Sequence, residues 1–133
     1  MRTAILFLIV LIFVSGCSKI NQACANGKCF KLEIADTNEE RSTGLMNHES
    51  LQEDAGMWFV FDKDDKHLFW MKDMKFPIDI IWIDSNYNVV DIKRDARPCK
   101  DDCEIYSPSK EVRYVLEVNA GSNINAGNKV EIK

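Results

Sequence analysis

The sequence lacks the residue patterns that mark the common catalytic classes. It contains no serine-elbow motif, no pair of histidines at metal-ligand spacing and no glycine-rich phosphate loop. Its two histidines, His48 and His67, are isolated and stand beside charged residues, as surface or turn residues commonly do. Serine hydrolases, zinc enzymes and phosphate-loop proteins are therefore disfavoured, and we predict neither a metal nor a cofactor.

No apolar run is long enough for a permanent membrane span. The longest, residues 4–14, would extend only about 16 Å as a helix, against roughly 30 Å for the hydrocarbon core of a bilayer. Arg2 precedes this run, which ends in Val-Ser-Gly-Cys at residues 14–17, the order of a signal peptide with a processing site. The segment resembles a bacterial lipoprotein signal. The alternative is an ordinary secretory signal that happens to contain a cysteine.

The lipoprotein resemblance implies that residues 1–16 are removed and that Cys17 carries acyl chains. We therefore predict a lipid-anchored protein on the extracytoplasmic face of a cell membrane or envelope. Removing residues 1–16 takes only Arg2 from the 17 basic residues and nothing from the 21 acidic ones, which changes the net charge from −4 to −5. Because the mature chain is acidic, nucleic acid and anionic lipid are disfavoured as electrostatic partners. Membrane attachment must then depend on the acyl chains.

The four other cysteines indicate two disulfides, since an even number outside the cytosol is typical of a disulfide framework. Four cysteines allow three connectivities, and we favour the local pairs Cys24–Cys29 and Cys99–Cys103. Each would close a short loop, for which chain entropy predicts about 2 kcal/mol. A four-thiolate zinc site requires reduced thiols, and neither pair has the two-residue spacing of a redox motif.

Hydrophobic patterning predicts a mainly β (α+β) domain at residues 29–133, after a polar tether at residues 17–28. Alternating or continuous apolar residues predict strands near residues 30–34, 57–61, 67–71, 78–84, 88–93, 112–118 and 129–132, with a charged turn at 62–66. Thr37 and Glu40 have capping-box spacing, so a short helix should begin there and end near Gly44. We predict a compact antiparallel β-barrel or sandwich of about seven strands, because such short hairpins leave no room for parallel crossovers.

Several motifs in one order resemble the DUF192 (UPF0127) family. They are Arg-Ser-Thr-Gly-Leu-Met at residues 41–46, Gly-Met-Trp-Phe-Val-Phe at 56–61, Phe-Trp-Met-Lys at 69–72, Pro-Ile-Asp-Ile at 77–80, Pro98-Cys99 with Cys103 and Tyr106, and Leu-Glu-Val at 116–118 with Ala120-Gly121. The resemblance runs from about residue 30 to the C-terminus. It implies a compact, mostly β domain that is often exported, without an established activity.

Two carboxylates fall on apolar strand faces and are the candidate site residues. Asp79 shares its face with Ile81 and Ile83, and Glu117 shares its face with Val115. A carboxylate in such a place must be paired, hydrogen-bonded or shifted in pKa. We take Arg41 and Lys72 as the candidate countercharges. Backbone N–H groups of the turn at residues 72–77 are the alternative partners for Asp79.

These residues allow three functions, of which we favour a non-catalytic binding or accessory module. In that module Trp70 offers a stacking surface, and Arg41 and Lys72 offer donors to a small anionic or sugar-like ligand; an envelope protein is the other partner considered. The second is a small envelope hydrolase with Asp79 and Glu117 as acid and base. The third, copper binding by methionine, is disfavoured because Met57 and Met71 lie in apolar strands.

Overall fold

The alternating pattern of the sequence produces seven strands and one short helix in residues 19–133, the part of the chain that the computed structural model describes. The predicted mainly β fold of about seven strands with one helix is confirmed. The predicted lipoprotein signal and Cys17 lie outside the described residues. The elements are β1 (Gln22–Ala25), β2 (Lys28–Ala35), α1 (Asn38–Thr43), β3 (Ala55–Asp65), β4 (Ile78–Ile83), β5 (Val89–Ala96), β6 (Val112–Asn119) and β7 (Glu131–Ile132).

The strands form one sheet in the order β5-β4-β6-β3-β2-β1-β7. Every neighbouring pair is antiparallel except β2 and β3, which run parallel. The prediction of purely antiparallel pairing is wrong for this pair. A parallel connection needs a crossover of a dozen or more residues, and residues 36–54, which include α1, provide it. Within residues 19–133, no helix is long and apolar enough to cross a membrane.

The sheet curls until its two edges meet at one end, which makes it a half-barrel. Asn88, just before β5, forms a bridge with Lys129, just before β7. The Val89 N–H donates to the Asn128 carbonyl at 2.9 Å, and the Val130 N–H donates to the Tyr87 carbonyl at 2.8 Å. Large apolar side chains are buried on both faces of the sheet, and β4 is buried along its whole length.

The ordered chain begins earlier than the sequence predicts. Residues 22–25 belong to the predicted tether at 17–28, yet they form β1 and pair with β2. Asn26 and Gly27 connect the two strands with φ values of 48° and 76°, which is the geometry that makes Asn-Gly a strong hairpin signal. The Cys24–Cys29 disulfide joins directly opposite residues, as predicted. β1 is too short to show a hydrophobic period.

The chain between β3 and β4 also departs from the prediction. β3 continues to Asp65, although residues 62–66 are predicted as a turn. Residues 67–71 are predicted as a strand, but they form an extended loop with one isolated bridge, from Phe69 to Tyr106. The partner of this loop is the segment that contains the Cys99–Cys103 disulfide, which is also formed as predicted. Exposed side chains do alternate with half-buried or buried ones along residues 67–71, as the pattern predicts. The alternation arises in a loop that pairs with another loop, outside the sheet.

Candidate functional site

A cleft of about 450 Å³ lies between α1, the loop after β3 and the face of the sheet that bears Phe59 and Glu117. It is lined by residues 38, 41–46, 59, 61, 68–70, 74 and 117. The residues from α1 are mainly polar, whereas those from β3 and the loop after β3 are aromatic or aliphatic. The cleft therefore has one polar wall and one apolar wall.

The polar wall is positioned by the two ends of α1. Thr37 accepts from the Glu40 N–H and the Glu40 carboxylate accepts from the Thr37 N–H, so the predicted capping box is formed. Backbone hydrogen bonds from Asp36 and Thr37 lower the pKa of Glu40. Gly44 ends the helix with φ of 49°, in the region that favours glycine. A Cβ at Gly44 would lie 3.4 Å from Phe59 Cζ and 3.9 Å from Glu117 Oε2, so the chain passes directly over the base of the cleft.

Glu117 lies at the base of the cleft and is 4% exposed. It is placed by β6 between Met57 of β3 and Ile80 of β4, its directly opposite neighbours. Burial raises the pKa of its carboxyl to about 8, and within residues 19–133 no hydrogen bond or charge offsets that burial. Glu117 is therefore protonated at neutral pH, and its O–H is a donor without a protein partner.

Arg41 lines the cleft but does not neutralise Glu117. Its Nη1 donates to the Asp36 carbonyl at 2.6 Å and to the Val60 carbonyl at 2.7 Å, and its Nη2 donates to Asn38 Oδ1 at 2.6 Å. Its guanidinium carbon also lies 5.4 Å from the centre of the Phe61 ring. Arg41 thus fastens α1 to β3 and leaves positive charge at the rim of the cleft.

Trp70 and Lys72 stand together outside the base of the cleft. Lys72 Nζ lies 5.3 Å from the centre of the Trp70 ring, a cation–π contact. Trp70 lines the cleft and is 46% exposed, which leaves much of its ring free for a ligand. The structure therefore brings Arg41, Trp70 and Glu117 to one site, with Lys72 beside it.

Asp79 lies on the opposite face of the sheet from Glu117. It pairs with Val118, the residue after Glu117, and successive strand residues point to opposite faces. The carboxylate of Asp79 accepts from the Asp95 N–H at 2.9 Å, the Ser122 N–H at 2.9 Å and the Ser122 hydroxyl at 2.8 Å. It also accepts from the Gly121 N–H at 3.2 Å, and Arg94 lies 3.8 Å away.

These hydrogen bonds join β4 to the end of β5 and to residues 121–122, and we call this arrangement the Asp79 clamp. Its hydrogen bonding is predicted by its apolar strand position, but the partners are neither Arg41, Lys72 nor the turn at residues 72–77. Because Asp79 and Glu117 point to opposite faces, the structure does not bring together the carboxylate pair that the hydrolase hypothesis requires.

Apart from Trp70, sequence reasoning missed the aliphatic and aromatic part of the site. Phe59, Phe61 and Phe69 line the cleft, and Leu68 lies at its opening with 60% of its surface exposed. Apolar strand residues are expected in a core, and nothing local in the sequence shows that some of them border a cavity. The position of Gly44 could be predicted, since a glycine after a capping-box helix marks the point where the chain turns.

Comparison with known proteins identifies the family. The DUF192 family, described as Uncharacterized ACR, matches residues 20–132. The chain belongs to the DUF192 family. A UPF0127 protein of Thermococcus gammatolerans is 34% identical over 95 residues, 68% of this chain and 56% of that protein. A second UPF0127 protein, from Thermococcus kodakarensis, is 30% identical over 96 residues, 68% of this chain and 55% of that protein. The chain thus spans about half the length of these curated relatives.

Two solved structures share the fold of this DUF192 domain. A protein of unknown function from Novosphingobium aromaticivorans has a TM-score of 0.76 and 30% identity, with 84% of each chain covered. A candidate transcription regulator from Sinorhizobium meliloti has a TM-score of 0.75 and 27% identity, with 84% of this chain and 92% of that chain covered. The match in the second comparison takes up nearly all of that chain.

The Asp79 clamp predicts a loss of stability on Asp79→Asn. The amide nitrogen cannot accept, so backbone donors of the DUF192 domain lose partners, and the free energy of unfolding should fall by about 3 kcal/mol. Urea unfolding followed by tryptophan fluorescence measures the change. The exposed Asp62→Asn is the matched control and should be neutral. Equal stability of the two variants would contradict the clamp.

The burial of Glu117 predicts a stability that falls as pH rises. The folded pKa of about 8 lies above the usual glutamate pKa of 4.5, so between these two values the unfolded chain binds fewer protons than the folded one. Stability is therefore full below the unfolded pKa and declines until the pH passes the folded pKa. Glu117→Gln removes this decline. Since one pKa unit corresponds to about 1.4 kcal/mol, the variant should gain several kcal/mol over wild type between about pH 5 and pH 9.

Urea unfolding at a series of pH values measures this difference. Glu111→Gln, at an exposed carboxyl, is the control and should follow the wild-type pH dependence. A constant difference between wild type and Glu117→Gln across the range would show that Glu117 does not titrate with a raised pKa.

Proposed function

We propose that this DUF192 protein is a lipid-anchored extracytoplasmic binding module that takes a small ligand into the cleft without catalysis. One observation carries the proposal: a buried carboxylic acid without a protein partner lies at the base of an open cleft. Among the described residues, the side-chain polar atoms that are fully sealed without a partner belong to His48 and Trp58, so the Glu117 oxygens open to the cleft, where a ligand can reach them. A ligand that pairs with Glu117 would give this largely desolvated carboxyl the hydrogen bond that the protein does not supply.

The size and lining of the cleft support binding of a small molecule. Its volume of about 450 Å³ lies within the roughly 300–1,000 Å³ of small-molecule sites. Such sites combine apolar walls with a few polar groups that fix orientation, and this cleft combines aromatic rings with Glu117 and the polar residues of α1. A small anionic or sugar-like ligand falls within this proposal, whereas an envelope protein would pass that ligand on and would not enter a cleft of this size.

The surroundings of Glu117 support binding more than catalysis. Acid and base chemistry usually needs a second titratable group near the first. The strand neighbours of Glu117 are Met57 and Ile80, and the Arg41 guanidinium is engaged by three protein oxygens. Among the residues that the structure describes, no three metal-ligating side chains form a cluster.

The anchor part of the proposal rests on the signal sequence that ends at Cys17. Because β1 begins at Gln22, the intervening chain spans at most about 17 Å. An acylated Cys17 would hold the sheet close to the membrane. The ligand would then be met at the membrane surface or be passed on by an envelope protein.

The anchor is tested by Cys17→Ser in the full chain. Without a thiol to acylate, the variant should move from the membrane to the soluble fraction of its host, whereas wild type stays with the membrane. Fractionation with radiolabelled palmitate measures both location and acylation. Palmitate on the Cys17→Ser protein, or an unlabelled wild type, would contradict the lipid anchor.

The ligand is tested by native mass spectrometry of residues 19–133 purified from an oxidising compartment of the host. Wild type should retain an adduct that is absent from Glu117→Met, since this variant keeps the bulk of the side chain and removes its hydrogen bonds. Asp62→Asn serves as the control and should retain the adduct. A clean apo spectrum in every case would count against a tightly bound small ligand.

A further inference from the structure

We propose that the ligand of the cleft is an amphiphile, whose hydrogen-bond-accepting oxygen contacts Glu117 and whose apolar part lies against Leu68, Trp70 and Ile105. This inference rests on the proposed function and adds the chemical class of the ligand. Two features of the site carry it: an apolar surface at the opening of the cleft, and a donor at its base.

The opening of the cleft gathers most of the large apolar side chains that the described residues expose. These are Ile20, Leu68, Trp70 and Ile105, and the last three are neighbours. We call these three residues the apolar mouth. Leu68 and Ile105 are each 60% exposed, which is unfavourable unless something covers them. Clustering of three such residues at a cavity indicates a site for an apolar group.

The apolar mouth continues the cleft outward. Between its residues lies a second depression of about 140 Å³, lined by Leu68, Phe69, Trp70 and Ile105. Three of these residues also line the main cleft. A ligand at Glu117 can therefore extend along one surface to Ile105. The gradient from a polar base to an apolar mouth matches a molecule with a polar head and an apolar tail.

The apolar mouth is held in place and is not a loose segment. Backbone hydrogen bonds join Phe69 and Tyr106 in both directions, at 3.0 and 2.8 Å. The Phe69 ring lies inward, with its centre 5.0 Å from that of Phe59. Because side chains alternate along this extended segment, Leu68 and Trp70 must face outward when Phe69 faces inward. The exposure of the two residues follows from the fold.

The charges around the cleft favour an oxygen acceptor over a cation. A protonated Glu117 donates a hydrogen bond, and a carbonyl or carboxylate oxygen can accept it. Arg41 from α1 and Lys72 beside Trp70 add positive charge at the rim, and His67 stacks on Phe61. The neighbours on β3 and β4, Met57 and Ile80, carry no charge. A cationic head would meet repulsion at the rim and would require ionised Glu117.

Calorimetric titration of residues 19–133 with four probes tests both halves of the inference. Octanamide carries a carbonyl acceptor, octanoate a carboxylate acceptor and octylammonium a cation on the same chain, while acetamide has the acceptor without the tail. At about pH 6 we expect octanamide and octanoate to bind and the other two to bind at least about tenfold more weakly. Comparison of octanamide with octanoate then shows which acceptor is preferred.

Variants separate the head from the tail. Glu117→Gln keeps an N–H donor, so at about pH 6 it should bind octanamide as tightly as wild type does. At about pH 10 the variant should keep that affinity, whereas the affinity of wild type should fall about tenfold. Glu117→Met removes the donor and should lose about tenfold at both pH values. Ile105→Ala should weaken the octyl probes but leave acetamide unchanged. Ile20→Ala, at an exposed residue that lines neither depression, is the control.

Tighter binding of octylammonium than of octanamide, or full affinity in Glu117→Met, would overturn the assignment of the head. Equal binding by Ile105→Ala and Ile20→Ala would overturn the assignment of the tail. If no probe binds while the native spectrum keeps its adduct, the amphiphile is wrong and the binding module stands. If neither a probe nor an adduct is found, the proposed function fails with it.

Discussion

The pairing of β6 with both β3 and β4 is the interaction on which the rest of the structure depends. It joins the parallel part of the sheet to the antiparallel part, and its register decides what each side chain faces. Leu116 and Val118 enter one core, while Glu117 between them is turned to the other face, under α1. A shift of one residue would exchange these faces and place the carboxyl in the opposite core.

The fold was predictable wherever a local pattern determines the structure. Strands with clear alternation, the Thr37 capping box and the disulfides between nearby cysteines all depend on residues that are close in sequence. The parallel pairing of β2 with β3 was not predictable, because it depends on a crossover that returns from α1. The same holds for residues 67–71. Their alternation predicts which side chains are buried and which are exposed, but it cannot predict whether the segment joins the sheet.

The sequence predicted that the candidate site would contain buried carboxyls, but it did not predict what each of them does. Apolar neighbours along each strand indicated that Asp79 and Glu117 are buried. Their difference comes from tertiary structure: backbone donors of residues 95, 121 and 122 surround Asp79, whereas a helix end and aromatic rings surround Glu117. Of the apolar mouth, Trp70 was predicted as a ligand contact, whereas Leu68 and Ile105 were not, because exposed and buried leucine or isoleucine look alike in a sequence.

The position of β7 has a consequence for how the chain folds. Ala23 of β1 pairs with Ile132 of β7, so the outer side of the first hairpin is covered by residues from the far end of the domain. Contacts between residues so distant in sequence slow folding, because closing the long intervening loop costs entropy. Until β7 arrives, β1 is an open edge that another chain can join. The two-residue strand β7 therefore protects this edge of the sheet against association with another chain.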